Sequence, residues 1–398
     1  MGADSMLDRS KIELIKKAVK KEIDSGGIAG ANLLVMHKGE EVLYHDDGFA
    51  DIENRVLIKR DTIFRLYSMT KPVTAAAVMI LLERGEIDLY EPAGKFLEGF
   101  RNQIVYQDGS LVPAERDVNI LDLLSMTSGL SYPGDDDTGR QVGKLFQELE
   151  ESLTGDDSIG TVEAMNRLGR CPLAFQPGAL WRYGTSADVL GAVVEVVSGM
   201  RFGEFLEKEI FRPLGMKDTA FWVPAEKRDR LAKTYMADGK GGLTLYTGNN
   251  LAISNRMDKA PAFESGGAGL ASTIDDYARF AAMLMNGGEL DGVRILRPRT
   301  VRYMTSATLN EVQQRGFDTW LTLRGHSYGN LMRVMTDCSR AGVIGSPGEY
   351  GWDGWLGAYF CNCPKEGLTI LLMMQKTDSG TTALTRKLRN IILSALEV

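Results

Sequence analysis

Histidine is almost missing from this chain. Three residues, His37, His45 and His326, among 398 leave too few imidazoles for a histidine-rich metal cluster or for most serine–histidine triads. Cysteine is as sparse, and Cys171, Cys338, Cys361 and Cys363 show no zinc-ligand spacing. Cys361 and Cys363 fall on one face of a predicted strand and read as two small core residues rather than a redox pair. Apolar runs such as Leu371-Leu372-Met373-Met374 and its neighbours are far too short to span a bilayer, and residues 1–11 are mixed and polar rather than signal-like. No Lys/Arg cluster offers a phosphate track, and a formal charge of -7 argues against nucleic acid. These absences leave a soluble, cytoplasmic protein with no metal, no cofactor, and neither a membrane nor a nucleic-acid partner. Its oligomeric state stays open.

What is present suits a large core and two lobes. Residues 11–25 carry Ile12, Ile15, Val19 and Ile23 on one helical face, stopped by Gly26-Gly27. A hairpin follows over 29–36 and 41–45, turning at Lys38-Gly39. Residues 69–84 read as an apolar helix with Pro72 in its first turn and Gly85 closing it. Further helices are expected over 120–126, 186–198, 202–211 and 275–286. Strand-like runs lie at 319–323, 331–335, 357–363 and 368–375, before a last amphipathic helix over 382–396. Strands at both ends of the chain thus enclose a helical middle, the pattern of the α+β class. The expected division is a discontinuous sheet domain, 1–85 with 265–398, and a mainly helical domain, 86–264. The acidic stretch 133–157 is either a solvated excursion or a lid.

Two serine motifs compete for the chemistry. Gly325-His326-Ser327-Tyr328-Gly329 matches the Gly-x-Ser-x-Gly nucleophile elbow, which needs a strand before it, a helix after it and a histidine later in the chain. The residues that follow look like a strand and no histidine lies beyond His326, so this stretch reads as a turn between two strands. Ser68-Met69-Thr70-Lys71 arises roughly once by chance in a chain of this length, yet its context is better. Serine and lysine three apart on a helix share a face. The apolar surroundings can desolvate the amine and lower its pKa, and the helix start favours a developing oxyanion.

The segment Phe64-Arg65-Leu66-Tyr67-Ser68-Met69-Thr70-Lys71-Pro72 resembles the nucleophile segment of the serine β-lactamase and penicillin-binding-protein superfamily. Further stretches agree in the family's order. Leu123-Leu124-Ser125-Met126-Thr127-Ser128-Gly129-Leu130 resembles its Leu-Leu-x-His-Thr-Ser-Gly-Leu segment, with Met126 in place of histidine. Gln176-Pro177-Gly178, leading to Tyr183-Gly184-Thr185-Ser186, resembles the second catalytic motif. Phe211-Arg212-Pro213-Leu214-Gly215-Met216 and Gly266-Gly267-Ala268-Gly269-Leu270 are similar to other hallmarks. The third motif falls on Trp352-Asp353-Gly354, the variant found in family VIII carboxylesterases, which are similar to class C β-lactamases. The resemblance implies a β-lactamase/transpeptidase-like fold, an antiparallel sheet flanked by helices with a helical lobe and the site in the cleft between them. It also implies Ser68 as nucleophile, Lys71 as its base and Tyr183 as a proton shuttle. The backbone N–H groups of Ser68 and of Trp355, taken to follow Gly354 on an edge strand, would form the oxyanion hole.

Departures from the pattern bear on substrate. Thr185 stands where β-lactamases and DD-peptidases usually have asparagine. Trp352 and Asp353 replace a cationic or hydroxyl-bearing motif that holds a substrate carboxylate. Met126, Thr185, Trp352, Asp353 and Gly354 are therefore taken as substrate-binding, with Trp352 and Trp355 as candidate pocket walls. An uncharged small or short-chain ester fits better than a penicillin. A β-lactamase, a D-stereospecific peptidase or amidase, an acyltransferase, and a non-enzymatic penicillin sensor or scaffold protein remain as alternatives.

Overall fold

A computed structural model describes residues 7–153 and 157–396. Its centre is an eight-stranded antiparallel sheet in the order His326–Gly329, Met332–Met335, Tyr350–Asp353, Tyr359–Cys363, Leu368–Met374, Gly30–His37, Glu40–Asp51, Val56–Leu57. The two ends of the chain meet in its middle, where Ala31 to His37 pair with Met374 to Leu368.

Side chains alternate between the two faces of a strand, so this sheet builds two cores. Leu33, Val35, Cys361, Cys363, Ile370 and Leu372 meet Ile15, Val19, Leu388 and Ile392 from helices Arg9–Asp24 and Ala383–Ser394. Leu34, Phe360, Leu371 and Met373 belong to the larger core on the other side, which includes helix Thr70–Glu83. Every residue of that helix from 70 to 81 is buried, as expected of a helix apolar all round. Most main elements follow the hydrophobic periodicity within a residue or two, including Ser186–Ser198 and Ile274–Met285, but the strand expected over 41–45 runs on as Glu40–Asp51.

Three expectations are corrected. Residues 319–323 form no strand; Leu321–Leu323 is a short 3-10 turn that leaves Trp320 and Leu321 exposed. Gly325-His326-Ser327-Tyr328-Gly329 is not a turn, because His326–Gly329 is itself the edge strand of the sheet. Tyr350–Asp353 is consequently internal rather than an edge. It pairs with Tyr359–Cys363 on one side, and on the other only Tyr350 and Gly351 are matched, to Val334 and Arg333. Two hairpins, Ile104–Gln107 with Ser110–Pro113 and Tyr235–Ala237 with Leu243–Leu245, are too short for the periodicity to reveal. Within 133–157, helix Asp137–Glu151 buries Val142, Leu145, Phe146 and Leu149. The expected lid also runs through 154–156, outside the described residues, as do the chain ends 1–6 and 397–398.

One ion pair ties the last helix to the strand that enters the site. Arg389 forks onto Glu349, both almost fully buried, and also donates to Tyr359 Oη at 3.2 Å and to the Ile344 carbonyl at 3.0 Å. Removing one partner of such a pair leaves an uncompensated buried charge. Arg389→Met should lower stability by about 3–5 kcal/mol in urea denaturation. The double variant Arg389→Met/Glu349→Leu should recover most of that loss, and a further additive loss would contradict this account.

Candidate active site

The short strand Phe64–Arg65 pairs with Ala271–Ser272, and Leu66 N–H donates to the Leu270 carbonyl at 2.9 Å. This pairing lays the chain leading to Ser68 beside the glycine-rich segment that ends at Leu270. Tyr67, immediately before Ser68, is buried with φ of 45°, a left-handed backbone that a bulky residue adopts only when its surroundings impose it. The chain then enters a 3-10 turn, Tyr67–Met69, and the buried helix.

Lys71 lies one turn beyond Ser68 with its amine wholly enclosed. Nζ donates to Ser68 Oγ at 3.1 Å, Tyr132 Oη at 2.9 Å and the Gly267 carbonyl at 2.9 Å. No carboxylate is within ion-pair distance of it among the described residues. Burial therefore dominates and lowers its pKa to about 7, against weaker opposing pulls from Asp188 and Asp353. Near pH 7 a large fraction of Lys71 is a neutral amine with a lone pair. Burial pushes the Tyr183 phenol the other way, well above its ordinary range, so Tyr183 keeps its proton.

Donor chemistry then gives the hydrogen bonds a direction. The Trp352 indole N–H can only donate, and it donates to Tyr183 Oη at 3.0 Å. With its oxygen so occupied, Tyr183 directs its own O–H to Ser68 Oγ at 2.8 Å. When Lys71 is neutral, the Ser68 hydrogen is free to turn to its lone pair while an amine N–H stays on the Gly267 carbonyl. The sequence Trp352 to Tyr183 to Ser68 to Lys71 is one consistent run of donors into acceptors.

The structure brings Ser68, Lys71 and Tyr183 together and moves several other expected residues out of substrate reach. Trp352 is 1% exposed; it is no pocket wall but a support beneath Tyr183, their rings 5.5 Å apart. Thr185 is buried, and its hydroxyl donates to the Ser131 carbonyl at 3.2 Å. A Cβ on Gly184 would lie 2.2 Å from the Leu130 carbonyl oxygen, so Gly184 allows the same close approach. Together these contacts hold the Tyr183 segment against the Tyr132 segment. Met126 is also buried, with φ of 57° at the end of helix Ile120–Ser125, and its carbonyl accepts the Arg182 N–H at 2.9 Å. Met126 and Thr185 thus position Tyr183 rather than bind substrate, a correction to their expected role.

Gly354 and Trp355 sit in the tight turn after Asp353, where Gly354 N–H donates to the Ala358 carbonyl at 2.7 Å. A Cβ on Gly354 would lie 2.1 Å from the Leu66 carbonyl oxygen. Only glycine lets this turn come so close to the segment leading to Ser68. Trp355 is half-buried, its ring 5.0 Å from Tyr67 and its indole N–H on Asp378 at 2.9 Å. Among the described residues the backbone N–H groups of Ser68 and Trp355 have no protein acceptor. Asp353 accepts from the Thr381 hydroxyl.

Sequence reasoning missed Tyr132, Asp188 and Trp320. Tyr132 stands two residues past the quoted Thr127–Leu130 stretch, and periodicity gives such a loop tyrosine no mark. Asp188 is a carboxylate inside an apolar helix, which is itself an available signal. It accepts from the Ser265 hydroxyl and from Gly267 N–H at 3.0 Å, fixing the loop whose carbonyl holds Lys71. Trp320 is 38% exposed with its ring 5.1 Å from Tyr183, and it supplies an apolar wall. For metals, the described residues bring ligand atoms of Glu349, Cys361 and Cys363 within 4.8 Å of one another. There the Arg389 guanidinium already occupies the carboxylate, and the Cys363 thiol is pushed well above its usual range, so the group does not suit a cation. No helix among the described residues is long and apolar enough to cross a membrane.

A β-lactamase/transpeptidase-like fold with a serine and a lysine one turn apart at the start of a buried helix defines a class of serine hydrolases. The β-lactamase family profile matches residues 15–393, and the chain belongs to that family, within the serine β-lactamase and penicillin-binding-protein superfamily. Protein Rv1367c of Mycobacterium tuberculosis is 32% identical over 370 residues, covering 90% of this chain and 88% of that protein. Esterase EstB of Burkholderia gladioli is 32% identical over 379 residues, covering 92% and 91%. Among solved structures, EstCE1, described as a hydrolase with promiscuous acyltransferase activity, superposes with a TM-score of 0.81 at 23% identity, over 96% of this chain and 99% of that one. Unliganded simvastatin synthase (LovD) from Aspergillus terreus superposes at 0.77 and 22% identity, over 99% and 98%.

If Trp352 orients the Tyr183 proton, Trp352→Phe should lower kcat roughly 3- to 10-fold, the worth of one hydrogen bond, with KM nearly unchanged. A rise in KM at constant kcat would instead make the indole a substrate contact.

Proposed function

We propose that this protein is a serine carboxylesterase that cleaves small or short-chain carboxylic esters through an acyl-enzyme on Ser68. The observation that carries the reading is the placing of Ser68 Oγ between a lysine amine whose pKa is near 7 and a protonated tyrosine hydroxyl. Ser68 Oγ attacks the ester carbonyl carbon as its proton passes to Lys71 Nζ. The carbonyl oxygen, now an oxyanion, is received by the Ser68 and Trp355 N–H groups. On collapse, the departing alkoxide takes the Tyr183 proton. The proton held by Lys71 then returns to Tyr183, leaving the amine neutral and the phenol protonated. Water then attacks the acyl-serine by the same route, releasing the acid and regenerating Ser68. The chemistry needs no cofactor.

Support for ester over β-lactam comes from the walls. Trp320 and Trp355 offer apolar rings, and Asp353 puts a negative charge where a β-lactam or peptide carboxylate would need a cation. The likeness to Esterase EstB points the same way. Acyl transfer to an alcohol instead of water is a second reading, favoured by the structural likeness to EstCE1 and to simvastatin synthase. Both readings share the acylation half-reaction.

With p-nitrophenyl acetate and butyrate, Ser68→Ala should lose ~10³-fold or more in kcat/KM, while a chromogenic cephalosporin is turned over poorly by the wild type. Ester turnover that survives Ser68→Ala sinks the mechanism, and faster cephalosporin hydrolysis favours the β-lactamase reading. Because Lys71 must be neutral to accept the serine proton, kcat/KM should rise with pH through about 7 and then level. A profile that falls between pH 6 and 8 would remove Lys71 as the base.

A further inference from the structure

The structure holds a cleft of about 370 Å³, lined by Arg65, Arg228, Lys233, Tyr246, Arg256 and Asp258, whose Tyr246 ring packs against Trp355. We propose that this cleft binds a carboxylate carried on the substrate at some distance from the ester that Ser68 attacks. The proposal rests on the reading of Ser68 as the acylated residue, and extends it to a substrate class: esters with a remote negative charge.

The cleft is cationic in a chain of net charge -7. Its one acidic side chain, Asp258, is already paired with Arg256 at 2.7 Å. Arg65 is buried and has no carboxylate partner among the described residues. Its Nε, at 2.8 Å, and its Nη2 both donate to the Asn255 carbonyl, and its Nη1 donates to the Ala232 carbonyl at 2.6 Å and to Gln375 Oε1 at 3.2 Å. Burial lowers its pKa to about 10, which still leaves it charged at neutral pH. Arg228 likewise donates only to backbone carbonyls, those of Val223 at 3.2 Å and Asp258 at 2.5 Å. Lys233 makes no ion pair among the described residues. A buried guanidinium with no counter-charge is costly to keep, and a bound anion would supply the missing charge. Because the Nε–Nη2 edge of Arg65 is taken by Asn255, Arg65 supplies buried positive charge, and Arg228 and Lys233 at the rim supply the donors for the carboxylate.

Position links the cleft to the reaction. Arg65 is three residues before Ser68 on the strand that delivers it. Tyr246 lines the cleft while its ring packs 5.6 Å from that of Trp355, and Trp355 in turn lies 5.0 Å from Tyr67. An ester reacting at Ser68 would thus reach the cleft past the Tyr246 and Trp355 rings.

The test compares mono-p-nitrophenyl esters of succinate, glutarate, adipate and suberate with neutral esters of equal chain length. One dicarboxylate length should show a KM at least 10-fold below its neutral counterpart. Arg228→Ala and Lys233→Glu, both at exposed positions, should erase that preference and leave neutral-ester kinetics within about twofold. Equal KM values in the two series, or a preference that survives Lys233→Glu, overturn the proposal. Ser68→Ala protein separates this from the catalytic reading. Titrated calorimetrically with the preferred free dicarboxylate, it should bind, and Lys233→Glu in that background should weaken binding at least 10-fold. Loss of all ester turnover with this binding intact would remove the Ser68 reading alone. Binding of inorganic phosphate as tightly as the dicarboxylate would mark an unselective anion site and overturn the proposal.

Discussion

The desolvation of one amine organises this site. A lysine in water is protonated at any physiological pH and useless as a base. Lys71 is moved to about 7 because it leaves the first turn of a helix buried on every side and finds neutral partners: a serine, a tyrosine and a backbone carbonyl. A carboxylate in contact would have undone this by favouring the ammonium. Asp188, a buried acid whose charge acts on Lys71, is instead held one step back on Ser265 and Gly267. Close enough to fix the loop and too far to pair with the amine, it lets the helix's burial act on Lys71.

Around that amine, close backbone approaches do the positioning. Gly354 lets the turn bearing Trp355 reach the Leu66 carbonyl, and Gly184 does the same for the Tyr183 segment at Leu130. At both places a Cβ would fall inside contact distance of a carbonyl oxygen. The strained backbone of Tyr67 belongs to the same design, since the chain must turn sharply between a strand paired to Ala271–Ser272 and the buried helix. Above Ser68, the donor-only indole of Trp352 gives Tyr183 a single orientation.

Much of this was legible in the residues. Most helices and strands long enough to show a period lie within a residue or two of their expected bounds, because burying one face leaves a repeat of 3.6 or 2 in the sequence. Glu40–Asp51 outruns its expected end because its residues 44–49 are only half-buried and carry no such repeat. The errors fell where no repeat exists. A five-residue run such as 319–323 is too short to tell a strand from a turn, and the glycines flanking His326-Ser327-Tyr328 read as a turn although His326–Gly329 is an edge strand. Site residues divided along the same line. Ser68 and Lys71 sit three apart on one helix, so their spacing alone carries information. Tyr132 approaches from a loop, and Trp352 looked like a pocket wall because a sequence motif does not say which way its ring faces.

The sequence by itself determined the fold class, the family, and the identity of the serine and lysine, since each depends on local spacing or on motifs met in a set order. Tertiary structure alone decided which way each group works. It put Trp352 under Tyr183 instead of against a substrate, withdrew Met126 and Thr185 into supporting contacts, and gathered Arg65, Arg228, Lys233 and Arg256 from scattered positions into one cleft. The physical reason is common to all of these. Burial, hydrogen-bond direction and net local charge are properties of the space around a side chain, and that space is filled by residues far away along the chain.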